Sequence, residues 1–95
     1  MTKSEILEKA NKIVNGEREQ QYGKAENNFQ TIADLWTAYC GCFDDPFMPT
    51  DVAMMMALLK IARIKSCTAT EDSFVDLAGY AACGGEIATQ WKKDN

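Results

Sequence analysis

Apolar residues recur with helical spacing along most of the chain, and no stretch is a candidate strand. Four segments show this pattern, and turn residues separate them. The sequence therefore predicts an all-α fold with four helices in a single domain that covers residues 1–95. The predicted helices run from Thr2 to Gly16, from Phe29 to Gly41, from Asp51 to Ile64, and from Thr68 towards Trp91.

Several residues mark the ends of these helices. The pairs Thr2–Glu5 and Thr68–Glu71 have the spacing of a capping box, which satisfies free amides at a helix start. Gly16 is predicted to end the first helix, because glycine readily adopts the left-handed conformation that follows a C-terminus. Thr50 is predicted to cap the third helix, and Asp51 would lie near the positive end of its dipole.

The third helix is apolar on almost every face from Val52 to Ile64, which is typical of a helix surrounded by protein. A chain of 95 residues has three other short helices with which to cover it. We therefore expect a homo-oligomer, either a dimer or a multiple of dimers, in which the copies share this helix. In each copy the first helix is expected to pack on the outside.

Charged side chains on the third and fourth helices predict how the two helices pair. Lys60 and Arg63 are three residues apart and share one face of the third helix. Asp72, Asp76 and Tyr80 follow at intervals of four and line one stripe of the fourth helix. Because partly buried cations need negative partners, we expect an antiparallel helical hairpin in which the two cations face this stripe.

The second and fourth helices also carry patterns that predict packing. Trp36 and Tyr39 belong to an aromatic stripe that is typical of a core and not of a stacking platform. Gly84 and Gly85 lower helix propensity, which indicates close packing against another helix or a break near Gly84. The predicted apolar side of the fourth helix consists of Phe74, Leu77, Ala78, Ala81, Ala82 and Ile87.

Composition excludes several classes of function. The net charge of −4 gives no excess of basic residues for binding long nucleic acid. The longest apolar run, from Val52 to Leu59, is far shorter than the roughly 20 residues of a membrane span. The N-terminal residues do not resemble a signal peptide, so we expect a cytoplasmic protein with reduced cysteines. The chain has no histidine, and Cys40 and Cys42 lack zinc-site spacing, so no metal or other cofactor is expected.

The segment from Glu17 to Asn28 has little apolar periodicity and permits two interpretations. In the first, it extends a helix, turns at Tyr22-Gly23 and supplies an Asn cap for the second helix. In the second, it is a binding loop whose side chains suit a nucleotide: a guanidinium at Arg18, an aromatic ring at Tyr22 and an amide at Asn28.

The chain resembles a family of small phage and prophage proteins that carry a domain of unknown function. The resemblance implies the cytosol of a host cell as the location, but it implies no activity. The residues that carry it are Arg18, Tyr22-Gly23, Asn28-Phe29, Ile32-Ala33, Leu35-Trp36, Asp51-Val52-Ala53, Met55-Met56, Leu59-Lys60-Ile61-Ala62-Arg63, Asp72-Ser73 and Asp76-Leu77-Ala78-Gly79-Tyr80.

A second, partial resemblance is to the all-α nucleotide pyrophosphatases of the MazG type. Those enzymes hold Mg²⁺ with an E-x-x-E pair on one helix and an E-x-x-D pair on the next, with Tyr four residues after the Asp. Asp76 and Tyr80 match the end of this pattern. Ser73 replaces the acid of the second pair, and Lys60 and Arg63 stand where the first acidic pair would be. The resemblance thus implies a MazG-like scaffold without its usual metal ligands.

Three hypotheses of function follow. The first is a non-catalytic protein that binds a small nucleotide, as a phage sponge for a cyclic-nucleotide or ADP-ribose-type immune signal of the host. The second is a divergent Mg²⁺-dependent pyrophosphatase that uses Glu71, Asp72 and Asp76 as metal ligands. The third is a protein–protein interaction module. The first hypothesis assigns no catalytic residue, and its ligand-binding residues are Arg18, Tyr22, Asn28, Lys60, Arg63, Asp76 and Tyr80.

Overall fold

The computed structural model describes residues 1–17, 25–67 and 70–94, and the chain is helical over most of these ranges, with no strand in them. Its four α-helices are α1 (Lys3–Lys12), α2 (Ala25–Cys40), α3 (Pro49–Lys65) and α4 (Thr70–Asp94). A turn of π-helix over Ile13–Glu17 extends α1. The predicted all-α fold with four helices is confirmed. Within the described residues, no helix combines the length and the apolar character needed to cross a bilayer.

The helices α3 and α4 form an antiparallel hairpin with the most extensive packing in the structure. Gly84 lies against Ala53 near the start of α3, whereas Asp76 pairs with Lys60 further along it. Residue numbers on α4 therefore fall as those on α3 rise. After α3, Cys67 adopts a left-handed conformation with φ of 62°, and its amide donates to the carbonyl of Ile64.

The other two helices pack on this hairpin, α1 against α4 and α2 mainly against α3. The outer position predicted for the first helix is confirmed. The core lies where α2, α3 and α4 meet, and its buried side chains are Phe29, Ala33, Val52 and Ala53. Half-buried side chains surround these four, namely Ile32, Trp36, Phe47, Met56, Tyr80, Cys83 and Ile87.

The ends of α1, α2 and α3 differ from the prediction. Gly16 does not end the first helix, because the side chain of Asn15 donates to Asn11 one turn back and the chain stays helical to Glu17. Asn28 does not cap the second helix, since α2 begins at Ala25.

Thr50 does not cap α3, because Pro49 is already its first residue. The cap is Met48, whose amide donates to Oδ2 of Asp51 at 2.8 Å. Proline suits the first helical position because its missing N–H would have no partner there. The predicted position of Asp51 near the N-terminus of this helix is confirmed.

The predicted buried faces of α2 and α4 are partly wrong. Tyr39 is 93% exposed, because the buried face of α2 runs through Ala33 to Thr37 and places Tyr39 on the far side. On α4 the side chain of Val75 is fully buried, whereas Phe74, Ala81 and Ala82 face solvent.

The helix α4 continues without a break through Gly84 and Gly85, so the glycines do not interrupt it. Close packing is confirmed at Gly84, where a Cβ would lie 2.9 Å from that of Ala53. Thr68, predicted to open this helix, lies outside the described residues.

The sequence predicts that protein surrounds α3, but a single chain covers only one side of this helix. Only Pro49, Val52, Ala53 and Ala57 are buried along it. Its opposite face exposes large apolar side chains, because α2 and α4 cover only one side of the helix. These exposed side chains are Met54, Met55, Leu58, Leu59 and Ile61.

Candidate functional site

A half-buried ion pair joins the two helices of the hairpin. Nζ of Lys60 on α3 lies 3.0 Å from Oδ2 of Asp76 on α4, and the two side chains are only 15% and 21% exposed. The antiparallel register of α3 and α4 brings the residues opposite each other. The predicted pairing of a cation on α3 with a carboxylate on α4 is therefore confirmed for Lys60 and Asp76.

The second predicted carboxylate, Asp72, does not face α3. One turn before Asp76, it pairs instead with Lys9 of α1, with 3.7 Å between Nζ and Oδ1, and both side chains are exposed. The neighbouring Glu71 contacts the N-terminal ammonium group of Met1 at 3.3 Å. The prediction that Asp72 pairs with Lys60 or Arg63 is wrong, because α1 lies against this end of α4.

These contacts separate the three carboxylates that the enzyme hypothesis groups into one metal site. Glu71, Asp72 and Asp76 each face a different cation, which the N-terminus, α1 and α3 supply in turn. Over residues 1–17, 25–67 and 70–94, no three acidic, histidine or cysteine side chains come together as a set of metal ligands.

Arg63 lies one turn beyond Lys60, close to the C-terminal end of α3, and is exposed. Its guanidinium group forms no ion pair with any residue in the described ranges. The backbone carbonyl of Arg63 accepts a hydrogen bond from the hydroxyl of Ser66, which helps to close the end of the helix. The two predicted cations thus have different environments, one paired and half-buried, the other open to solvent.

Tyr80 lies one turn after Asp76 on α4, and its ring stacks on that of Phe29 in α2. The ring centroids are 6.2 Å apart and the ring planes meet at 30°. Asn28, next to Phe29, is half-buried. The structure therefore brings Tyr80 to the start of α2, where the predicted binding segment ends.

Arg18 and Tyr22, the other two predicted ligand-binding residues, lie outside the described residues. Of the remaining five, the structure brings Lys60 and Asp76 into contact and places Tyr80 one turn away on α4. Arg63 is the member that faces solvent.

Two features of this region have no signal in the sequence. Ser73, three residues before Asp76, is only 1% exposed. The sequence pattern would instead predict that this serine lies on the polar face of the helix, beside Asp76. Lys9 is one of several lysines in α1, and only the packing of α1 on α4 selects it as the partner of Asp72.

The fold and this region define a small helical protein whose central hairpin is joined by a half-buried ion pair. The chain belongs to the family described as a domain of unknown function (DUF6378), whose model matches residues 5–88. This confirms the first of the two resemblances seen in the sequence, that to a phage family with a domain of unknown function.

Two curated phage proteins are similar to the chain. The Gene 55 protein of Mycobacterium phage L5 is 50% identical over 76 residues, which are 80% of this chain and 47% of that protein. The Gene 55 protein of Mycobacterium phage D29 is 44% identical over 78 residues, which are 82% of this chain and 50% of that protein. The chain thus spans about half the length of these relatives. No solved structure matches it.

Proposed function

We propose that the protein is a non-catalytic nucleotide-binding protein on a MazG-like helical scaffold, and that it sequesters its ligand without converting it. The observation that carries the proposal is the ion pair between Lys60 and Asp76. In MazG-type enzymes, carboxylates on two successive helices hold Mg²⁺. In this chain the group beside Asp76 is the Lys60 ammonium, and the partial MazG resemblance would assign a metal ion to that position.

This substitution opposes the binding of a metal ion for two physical reasons. The Lys60 ammonium group neutralises the Asp76 carboxylate at 3.0 Å and would repel a divalent cation. In addition, Ser73 stands where the resemblance would require an acid. Its hydroxyl group is uncharged, and the side chain is buried. The positive charge beside Asp76 therefore argues against metal-assisted hydrolysis at this position.

Arg63 gives this region a group that can bind phosphate. Its guanidinium group is exposed and has no carboxylate partner in the described part of the chain. A guanidinium group binds phosphate oxygens in a bidentate manner and stays charged at any physiological pH. Lys60 lies one turn away, but Asp76 balances its charge, so Arg63 is the one of these two cations that the hairpin offers to a phosphate. Tyr80 and Asn28, with Arg18 and Tyr22 from the preceding segment, would contact the base or ribose.

The ligand class that fits these groups is a small nucleotide with one or more phosphates. The phage relatives are consistent with a role inside an infected cell, where a sponge would remove a cyclic-nucleotide or ADP-ribose-type signal of host immunity. Sequestration needs affinity and a slow release, but no catalytic group.

The test is to incubate the purified protein with Mg²⁺ and a pool of ordinary, cyclic and ADP-ribose-type nucleotides. The protein is then separated from the pool and heat-denatured, and the released molecules are identified by mass spectrometry. We expect one intact nucleotide in stoichiometric amount and an otherwise unchanged pool. Arg63→Ala should abolish retention. Lys12→Ala, which removes an exposed cation from α1, is the matched control and should retain the nucleotide.

Two outcomes contradict the proposal. A nucleotide converted to its monophosphate, with release of pyrophosphate that Asp76→Asn abolishes, would establish the pyrophosphatase hypothesis in its place. A protein that emerges empty from an untouched pool would remove the nucleotide and favour the hypothesis of a protein–protein interaction module.

A further inference from the structure

Among the described residues, α3 exposes more large apolar side chains than any other helix. At about 100° per residue, Met54, Met55, Ile61 and Ala62 all lie within about 60° of Leu58 around the helix axis. Ala53, which is fully buried, lies on the opposite side. The helix thus has one face for its own chain and a second, equally apolar face turned to solvent.

The spacing on this outer face is that of a helix that packs lengthwise against another helix. The positions alternate by four and three residues, which is the seam of a helix pair with knobs-into-holes packing. The residues on this seam are Asp51, Met55, Leu58, Ala62 and Lys65.

The outer face as a whole is also symmetric about Leu58, because Met54 and Ala62 lie four residues from it on either side, and Met55 and Ile61 lie three residues from it. Leu58 lies midway between Asp51 and Lys65, which carry opposite charges at the two ends of the seam. Two copies of α3 that cross antiparallel at Leu58 would place Asp51 of each copy beside Lys65 of the other. A parallel pair would instead place like charges together at both ends.

The carboxylate of Asp51 can serve this contact while it caps its own helix. Its Oδ2 accepts the hydrogen bond from the amide of Met48 at 2.8 Å, which leaves the second oxygen, Oδ1, available for a contact outside the cap. Both Asp51 and Lys65 are exposed in the single chain. Charge complementarity therefore favours a second copy of this chain as the occupant of the face.

We propose that two copies associate through an antiparallel α3–α3 contact, with a two-fold axis that passes beside Leu58. Such a contact is isologous: the same surface of each copy meets the other. It would bury the apolar side chains that a single chain exposes, and thus complete the enclosure that the sequence predicts for this helix. The pairing depends on the outer face alone and not on any ligand.

The first test measures the oligomeric state of the full chain by sedimentation over a range of concentrations. We expect a dimer. Leu58→Asp should raise the dissociation constant by more than about a hundredfold, because it places two unpaired carboxylates at the centre of the contact. Leu7→Asp on α1 is the matched control, since both leucines are 63% exposed, and this variant should remain a dimer. A monomeric wild type, or a dimer unaffected by Leu58→Asp, would overturn the proposal.

The second test uses cross-linking and does not depend on the folding of the charged variant. A residue that lies at the two-fold axis meets its own copy, so Leu58→Cys should form an intermolecular disulfide under mild oxidation. Peptide mapping must show that the bond joins the two introduced thiols. Wild type and Leu7→Cys control for the native cysteines, of which Cys40 and Cys67 are exposed.

The orientation of the helices is tested with a pair of variants. In an antiparallel contact, Met54→Cys should cross-link to Ala62→Cys when the two proteins are mixed, because the two positions are equally far from Leu58. In a parallel contact, Met54→Cys would cross-link to itself. Disulfides of the second kind alone would contradict the antiparallel geometry.

Discussion

Gly84 of α4 lies so close to α3 that a Cβ at this position would be 2.9 Å from the Cβ of Ala53. A real Cβ does not approach another so closely, and the Ala53 Cβ is fixed to its backbone. The next residue, Gly85, faces open space, and a Cβ there would have no neighbouring atom within 4 Å. Two adjacent glycines in the same helix therefore have different roles.

We predict opposite effects for alanine at these two positions. Gly84→Ala gains about 1 kcal/mol of helix propensity, but separating the helices costs typically 1–3 kcal/mol, so the free energy of unfolding should fall by about 1 kcal/mol. Gly85→Ala has the same gain without the clash and should raise the free energy of unfolding by up to about 1 kcal/mol. Urea denaturation of both variants measures the difference, and equal effects would show that the helices are not in close contact at Gly84.

The ion pair between Lys60 and Asp76 should stabilise the hairpin measurably. Because both side chains are mostly buried, we expect Lys60→Met and Asp76→Asn each to lower the free energy of unfolding by about 2 kcal/mol, between the values for exposed and fully buried pairs. The double variant should lose less than the sum of the two. This double-mutant cycle is compared with that of Lys9 and Asp72, an exposed pair at 3.7 Å, whose coupling should be below about 0.5 kcal/mol. Equal coupling in the two cycles would contradict the structural difference between the pairs.

The cap of α3 gives a prediction that separates the structure from the sequence pattern. In the structure, the Asp51 carboxylate accepts a hydrogen bond from the amide of Met48. Asp51→Ala should therefore lower the free energy of unfolding by about 1 kcal/mol. Thr50→Ala should have little effect, because Thr50 lies inside the first turn. Thermal unfolding of the two variants checks this, and a larger loss for Thr50→Ala would support the cap predicted from sequence. The measurement should use a monomeric background such as Leu58→Asp, since Asp51 also lies on the proposed seam.

The capping box of α1 should make the stability of this helix depend on pH. Hydrogen bonds from the Thr2 backbone amide and from the Thr2 side chain hold the pKa of Glu5 below its ordinary value of 4.5. A carboxyl group with a lowered pKa in the folded state stabilises that state when ionised. Its contribution is therefore complete above about pH 4.5 and is lost as the pH falls through the folded-state pKa.

Glu5→Gln provides the measurement for this pH effect. Above pH 4.5 wild type should be more stable than Glu5→Gln, and the difference should shrink as the solution is acidified. Glu8→Gln, which changes an exposed acid on the same helix outside the capping box, is the control. A difference between wild type and Glu5→Gln that does not vary with pH would show that the ionised carboxylate does not contribute through the cap.

Much of the fold could be predicted from the sequence because it depends on local pattern. Helical periodicity identified all four helices, and the capping box of Thr2 and Glu5 is present as predicted. The hairpin pairing of Lys60 with Asp76 was also predictable, since charges on two apolar helices that follow each other along the chain have few alternative partners.

The errors arose where a residue's environment depends on neighbours that are distant in sequence. Tyr39 fits an apolar stripe, but the face of α2 that packs against the hairpin runs through Ala33 and Thr37 and leaves its ring in solvent. Asp72 fits the stripe of Asp76 and Tyr80, but the arrival of α1 gives it Lys9 as a partner. The same distinction applies to the candidate site. Residue spacing predicted the ion pair between Lys60 and Asp76, whereas the exposure of Arg63 depends on how the helices pack around α3.

The sequence by itself determined the helices, the hairpin, and the opposite charges of Lys60 and Asp76 that pair across it. These features follow from residue type and from spacing along a helix or between two successive helices, where helix geometry allows little choice. Only the tertiary structure decided which face of each helix is buried, which carboxylate meets which cation, and which apolar face of α3 remains open. Those outcomes depend on how helices with more than one apolar face pack against one another, and local pattern does not specify that packing.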